Sequence, residues 1–240
     1  MDGFPTLTEL LDSIAFLGNE PAAMGVVITA LLLIILRDWR WSLMALTVQY
    51  LLSGWLLTQV FEPDIAPAIA AIKIMSWMII CLVFYLTARQ VRWGSPRQES
   101  EETADPVVVD PPNIKIGRRV LPTGQLFRLL IGLMTTIVIL YTVNRGNVAL
   151  PELPAHINRA AISLMAMGLL ALGLTEEPLT AGMGLLTSMG GFALFYHSLE
   201  QGITVIGFLI GVDFLIATVS AYLTVAHHWT RQDAERRRPT

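Results

Sequence analysis

Cysteine is almost absent. The single thiol, Cys81, lies inside an apolar run, so no intramolecular disulfide can form, and with only 4 histidines no Cys/His spacing suggests zinc, haem or an iron–sulfur cluster. No cofactor is expected. Charge is scarce too: 15% of the 240 residues are Asp, Glu, Lys or Arg, and the net charge of −3 gives no reason to expect a nucleic-acid partner. The opening "MDGFPTLTELLDSIAFLGNEP" lacks the basic segment of a signal peptide and reads as mature sequence. The glycines of "AGMGLLTSMGGFAL" lack the strand–turn–helix setting of a phosphate loop and read as close-packing positions in a membrane helix. No catalytic residue is expected.

What remains is apolar. Hydrophobic residues make up 54% of the chain and mean hydropathy is +0.59, above the range of soluble domains. Uncharged runs able to cross about 30 Å of hydrocarbon, at about 1.5 Å per helical residue, recur along the chain. Reading between charged boundaries gives seven candidate helices, at about 21–36, 41–61, 65–88, 126–144, 157–175, 178–199 and 203–226. The expected fold is therefore an all-α polytopic membrane protein with about seven transmembrane helices.

Charge placement sets the expected direction. With the N-terminus outside, every one of the 16 basic residues falls on the cytoplasmic side except Lys73, Arg145 and Arg159. Asp2, Glu9, Asp12, Glu20, Glu62, Asp64, Glu152 and Glu200 collect outside. That bias predicts N-out, C-in with an odd number of spans. Leu10, Leu11, Ile14 and Leu17 predict a short helix on the outer surface. The polar stretch "WGSPRQESEETADPVVVDPPNIKIGRRVLPTGQ" reads as a cytoplasmic arm, either a solvated linker or a segment lying on a partner subunit.

Sliding the second half over the first by 138 residues aligns the span boundaries without a gap and places Glu62 on Glu200 and Ile65 on Ile203. The unit is three helices used twice. Because the units begin four crossings apart, they run in the same direction, as parallel repeats joined by a return helix, unlike the inverted repeats of many transporters. The divisions are an outer N-terminal segment 1–20, a first unit 21–92, the arm 93–125, a linking helix and outer loop 126–156, a second unit 157–229 and a basic tail 230–240.

Two ionisable side chains lie deep in this frame. Lys73 is eight residues into the third span and Asp213 ten into the seventh, about 12 and 15 Å from the span ends. A charge at such depth costs at least about 2.5–3.5 kcal/mol unless it is paired, neutralised or hydrated. Asp213 is then a protonatable site or a counter-ion, or else a polar clamp between helices; Lys73 is a relay or the fixer of an anionic neighbour. Similar depth invites a pair between them, although the repeat offset sets Lys73 over Gly211. Gln49 needs a hydrogen bond in lipid and reads most simply as an interhelical contact. His197 and Glu200, three apart at the outer end of the sixth span, form either a polar cap or the mouth of a pathway.

With Gln49 in "LTVQYLL", Lys73 in "AIKIMSWMII" and Asp213 in "IGVDFLIATVSAYL" set in seven helices, the chain resembles the hydrogenase-4 component E family, membrane subunits of complex I-like assemblies. Its second half is similar to the small three-helix K-type subunit of respiratory complex I and to the C-type subunit of multisubunit cation/proton antiporters. The resemblance covers residues 22–229. It implies a non-redox component of a prokaryotic cytoplasmic membrane, seated beside larger antiporter-like subunits, in which Gln49, Lys73 and Asp213 border a hydrated ion route. One departure stands out: K-type subunits carry a glutamate in their middle helix, where this chain has Thr187, Ser188 and Met189.

Overall fold

The computed structural model describes residues 19–36, 38–61, 65–93, 114–116, 119–121, 123–145 and 153–236. The expected outer N-terminal helix, most of the arm, and Glu62, Asp64 and Glu152 lie outside them. The described residues form seven helices: α1 Asn19–Ile35, α2 Trp39–Thr58, α3 Ala66–Trp93, α4 Thr123–Asn144, α5 Ala155–Gly173, α6 Pro178–Leu199 and α7 Ile203–Arg236. Within the expected arm, β1 Ile114–Ile116 and β2 Arg119–Leu121 pair antiparallel, with Lys115 opposite Val120. Apart from this ribbon the described fold is all-helical.

Local sequence explains where the helices start and stop. Proline lies just inside the starts of α3 (Pro67) and α6 (Pro178), where its fixed φ suits the first turn and its missing N–H costs nothing. Pro154 sits at the N-cap of α5. Two helices run further than hydropathy predicts. α3 continues to Trp93, while α7 has 34 residues, about 51 Å, more than a bilayer core needs. No glycine or proline follows Gly211 in α7, so nothing stops the helix where its apolar part ends.

Five helices, α3 to α7, are long and apolar enough to cross a membrane. α1 is apolar but has 17 residues, and α2 carries Arg40, Ser42, Gln49, Ser53 and three tryptophans along its 20. The distribution of side chains is that of a membrane protein. Met24, Ile28 and Leu32 on α1, Met75, Ile79 and Leu82 on α3, and Leu130, Met134, Ile137 and Val138 on α4 face outward, whereas Gln49, Lys73, Asn158, Thr187, His197 and Asp213 are buried. A water-soluble fold places these two classes the other way round.

Packing follows a pattern. α2 lies between α1 and α3, α6 between α5 and α7, and α1 packs on α5, α2 on α6 and α3 on α7, while α4 rests against α1 and α5. The closest crossing is α5 on α6. There the Cβ that Gly191 lacks would sit 2.6 Å from the carbonyl oxygen of Ala161 and 2.7 Å from Cβ of Leu164, so only glycine admits this approach. Side chains tie the ends together. Arg128 of α4 donates to the carbonyl of Leu174 at 2.7 Å, satisfying an orphan acceptor at the end of α5, and Arg159 meets Glu20 at 2.7 Å between α5 and α1.

Candidate functional site

Lys73 and Asp213 come together across the α3–α7 contact. Lys73 is 0% and Asp213 5% exposed, and the ammonium Nζ lies 4.0 Å from Oδ2 of the carboxylate. Repeat equivalence does not produce this pair. α3 buries Lys73, Trp77 and Ile80, but the positions that match them in α7, Gly211, Leu215 and Thr218, face outward. α7 instead buries Asp213, Ala217 and Ser220, whose counterparts Met75, Ile79 and Leu82 are exposed on α3. The seventh helix is turned so that its carboxylate, and not the glycine two residues before it, meets the lysine.

The pair has further company. Trp77, one turn after Lys73 on α3, donates from its indole Nε1 to the same Oδ2 at 3.4 Å, and the Lys73 ammonium lies 5.7 Å from the centre of the Trp77 ring. Tyr50 of α2 stacks on that ring at 4.6 Å with the planes 8° apart. Its hydroxyl is buried without a protein hydrogen-bond partner, as is Nζ of Lys73. Neither Trp77 nor Tyr50 follows from reading single charged residues, yet signals exist. Trp77 stands at the i+4 position from Lys73, and Tyr50 adjoins Gln49.

Gln49 donates from Nε2 to Oγ1 of Thr187 at 3.2 Å, and that hydroxyl donates on to the carbonyl of Met183 at 2.9 Å. The two side chains are 138 residues apart, which equals the offset expected between the repeats. His197 and Glu200 differ in burial. The His197 ring is 0% exposed, 5.4 Å from the ring of Phe61, with both nitrogens lacking a protein hydrogen-bond partner, whereas Glu200 is exposed at the end of α6. Residues 59–61 are held over this end of the bundle. His156 Nε2 lies 2.9 Å from Oε1 of Gln59, and Gln201 donates to the carbonyl of Val60 at 2.9 Å.

The buried polar groups are unevenly spread. Gln49, Tyr50 and Ser53 lie in the second half of α2, Lys73, Ser76 and Trp77 in the first half of α3, Thr187 near the middle and His197 near the end of α6, and Asp213 in the first part of α7. The buried ionisable side chains among them, Lys73, His197 and Asp213, therefore belong to the half of the bundle that ends at Phe61. Toward the other end the same helices bury Leu43, Leu46, Ile80, Phe84, Leu179 and Met183, with the hydroxyls of Ser42, Thr87 and Ser220 among them. Among the described residues the buried charge-bearing groups lie in one half, and the other half is mainly hydrocarbon with a few hydroxyls.

Among the described residues no group of three His, Cys, Asp or Glu side chains could hold a metal ion. The fold and this site define a class: a helical membrane protein with a lysine–aspartate pair buried in its core. No family model, curated protein or solved structure matches the chain.

Proposed function

We propose that this chain is a non-redox integral membrane subunit of a complex I-like or hydrogenase-linked complex that moves protons or other cations, and that it lines or borders the ion pathway. The buried Lys73–Asp213 pair carries the reading. Ionisable groups are costly in hydrocarbon and typically mark ion and proton routes when they persist there. In this proposal Asp213, Lys73 and Gln49 are path residues and His197 stands at its mouth, with Glu200 on the surface beside it. The chain crosses a prokaryotic cytoplasmic membrane seven times, N-terminus outside and C-terminus inside, in two parallel three-helix units joined by α4. Support for the units comes from the packing of α1, α2 and α3 each on its counterpart, and from the Gln49–Thr187 bond between equivalent positions.

The partners are antiporter-like and other membrane subunits. Two observations favour this over a self-sufficient transporter. The buried ionisable side chains Lys73, His197 and Asp213 stop at mid-bundle, and beyond them only hydroxyls are buried, so an ion reaching Asp213 needs a neighbour or a rearrangement to continue. α7 also keeps Gly207 and Gly211 on its outer face with open space where a side chain would be, which lets another helix approach closely. The same apolar half favours a second reading, a structural anchor that holds other subunits without a route of its own. Mild-detergent purification separates these. Co-purification of large antiporter-like subunits supports the proposal, and a solitary chain that moves ions in liposomes contradicts it. A complex that pumps normally with Lys73 and Asp213 both neutralised points to the anchor.

A further inference from the structure

Asp213 faces two donors on one helix, and they differ in freedom. Trp77 is fixed: its ring is stacked on Tyr50 at 4.6 Å and packs beside Gly54 of α2. Lys73 is held by no hydrogen bond, and its Nζ stands 4.0 Å from Oδ2, beyond the roughly 2.7–2.9 Å of a charge-assisted bond. The indole N–H lies nearer the same oxygen, at 3.4 Å. The ion pair is loose and the indole contact anchored.

We infer that Trp77 is a positioning residue that keeps Asp213 aimed at α3 whenever Lys73 swings away. This inference rests on the ion-route reading above. A buried carboxylate left without any donor is strongly disfavoured, so a pair with no third member stays closed. With Trp77 present, the carboxylate keeps one donor while the lysine disengages, and opening the pair costs less. Tyr50 acts one step further out, by holding the indole plane so that Nε1 points at Oδ2.

Infrared difference spectroscopy on the complete complex in its native membrane tests this. The band lost in Asp213→Asn identifies the Asp213 carboxyl group. In Trp77→Phe, which keeps a ring and removes the N–H, that band shifts and ion movement slows about tenfold, the scale of one charge-assisted hydrogen bond. Tyr50→Phe preserves the stack and leaves the Asp213 band unchanged, whereas Tyr50→Leu reproduces the Trp77→Phe spectrum. Trp77→His, which retains a ring N–H, restores part of the rate and serves as the test variant if Trp77→Phe fails to assemble. An Asp213 band that does not move in Trp77→Phe overturns the positioning role. A shifted band with unchanged ion movement in both Trp77→Phe and Asp213→Asn overturns the ion route and leaves Trp77 holding a structural carboxylate.

Discussion

At the scale of residues, a buried ion pair is easily broken from one side. Lys73→Met leaves the Asp213 carboxylate with only the long indole contact, a loss of about 3–5 kcal/mol when one member of a buried pair is removed. Replacing both members, Lys73→Met with Asp213→Leu, removes the uncompensated charge and recovers most of that loss. Thermal unfolding in detergent, read beside the amount of protein in the membrane, checks the contrast; equal destabilisation by single and double variants contradicts the pairing. Gln49→Leu loses the bond to Thr187 and costs about 0.6–1.7 kcal/mol by the same measurement. Both side chains were legible in the sequence as polar groups in apolar spans. Their partners were not equally so: a lysine announces its own burial cost, but only the rotation of α7 decides that Asp213, and not Gly211, meets it.

At the scale of elements, helix existence was readable because each apolar run is bounded by charge or proline. Ends were less so, since hydropathy falls at the membrane surface while the backbone has no reason to stop there, as α7 demonstrates by running to Arg236. The glycines of α6 read as packing positions, and the structure separates them. Gly191→Ala drives a methyl group into the backbone of α5 and is expected to cost about 1–3 kcal/mol or more. Gly190→Ala, next to it, meets nothing within 4 Å and stays within about 0.5 kcal/mol of the parent. Melting curves of the two variants in detergent distinguish the faces of α6, and equal shifts contradict the α5–α6 crossing. The strand pair inside the arm had no sequence signal, because three-residue strands lack a run long enough to show alternation.

At the scale of the whole molecule, the proposed repeat relates helices but not chemistry. Equivalent helices pack on one another, yet the ion pair, the indole and the tyrosine come from one unit plus a single carboxylate from the other. Thr187, in the stretch where the proposed K-type likeness would call for a glutamate, serves as a partner for Gln49. The proposed direction has a direct check. A reporter active only outside the cytoplasm is silent when fused after Thr240, and an impermeant reagent labels a cysteine placed at Asp2 in intact cells when Cys81 is replaced by serine. The reverse pattern contradicts the N-out arrangement.

The central claim is that the charge buried at Asp213 takes part in moving an ion. Ion translocation by energised membrane vesicles carrying Asp213→Asn tests it most directly, because the amide keeps the shape of the side chain and removes its ability to carry charge. The account predicts a complex of normal composition with translocation largely lost; a fully assembled complex that translocates at the parent rate contradicts it.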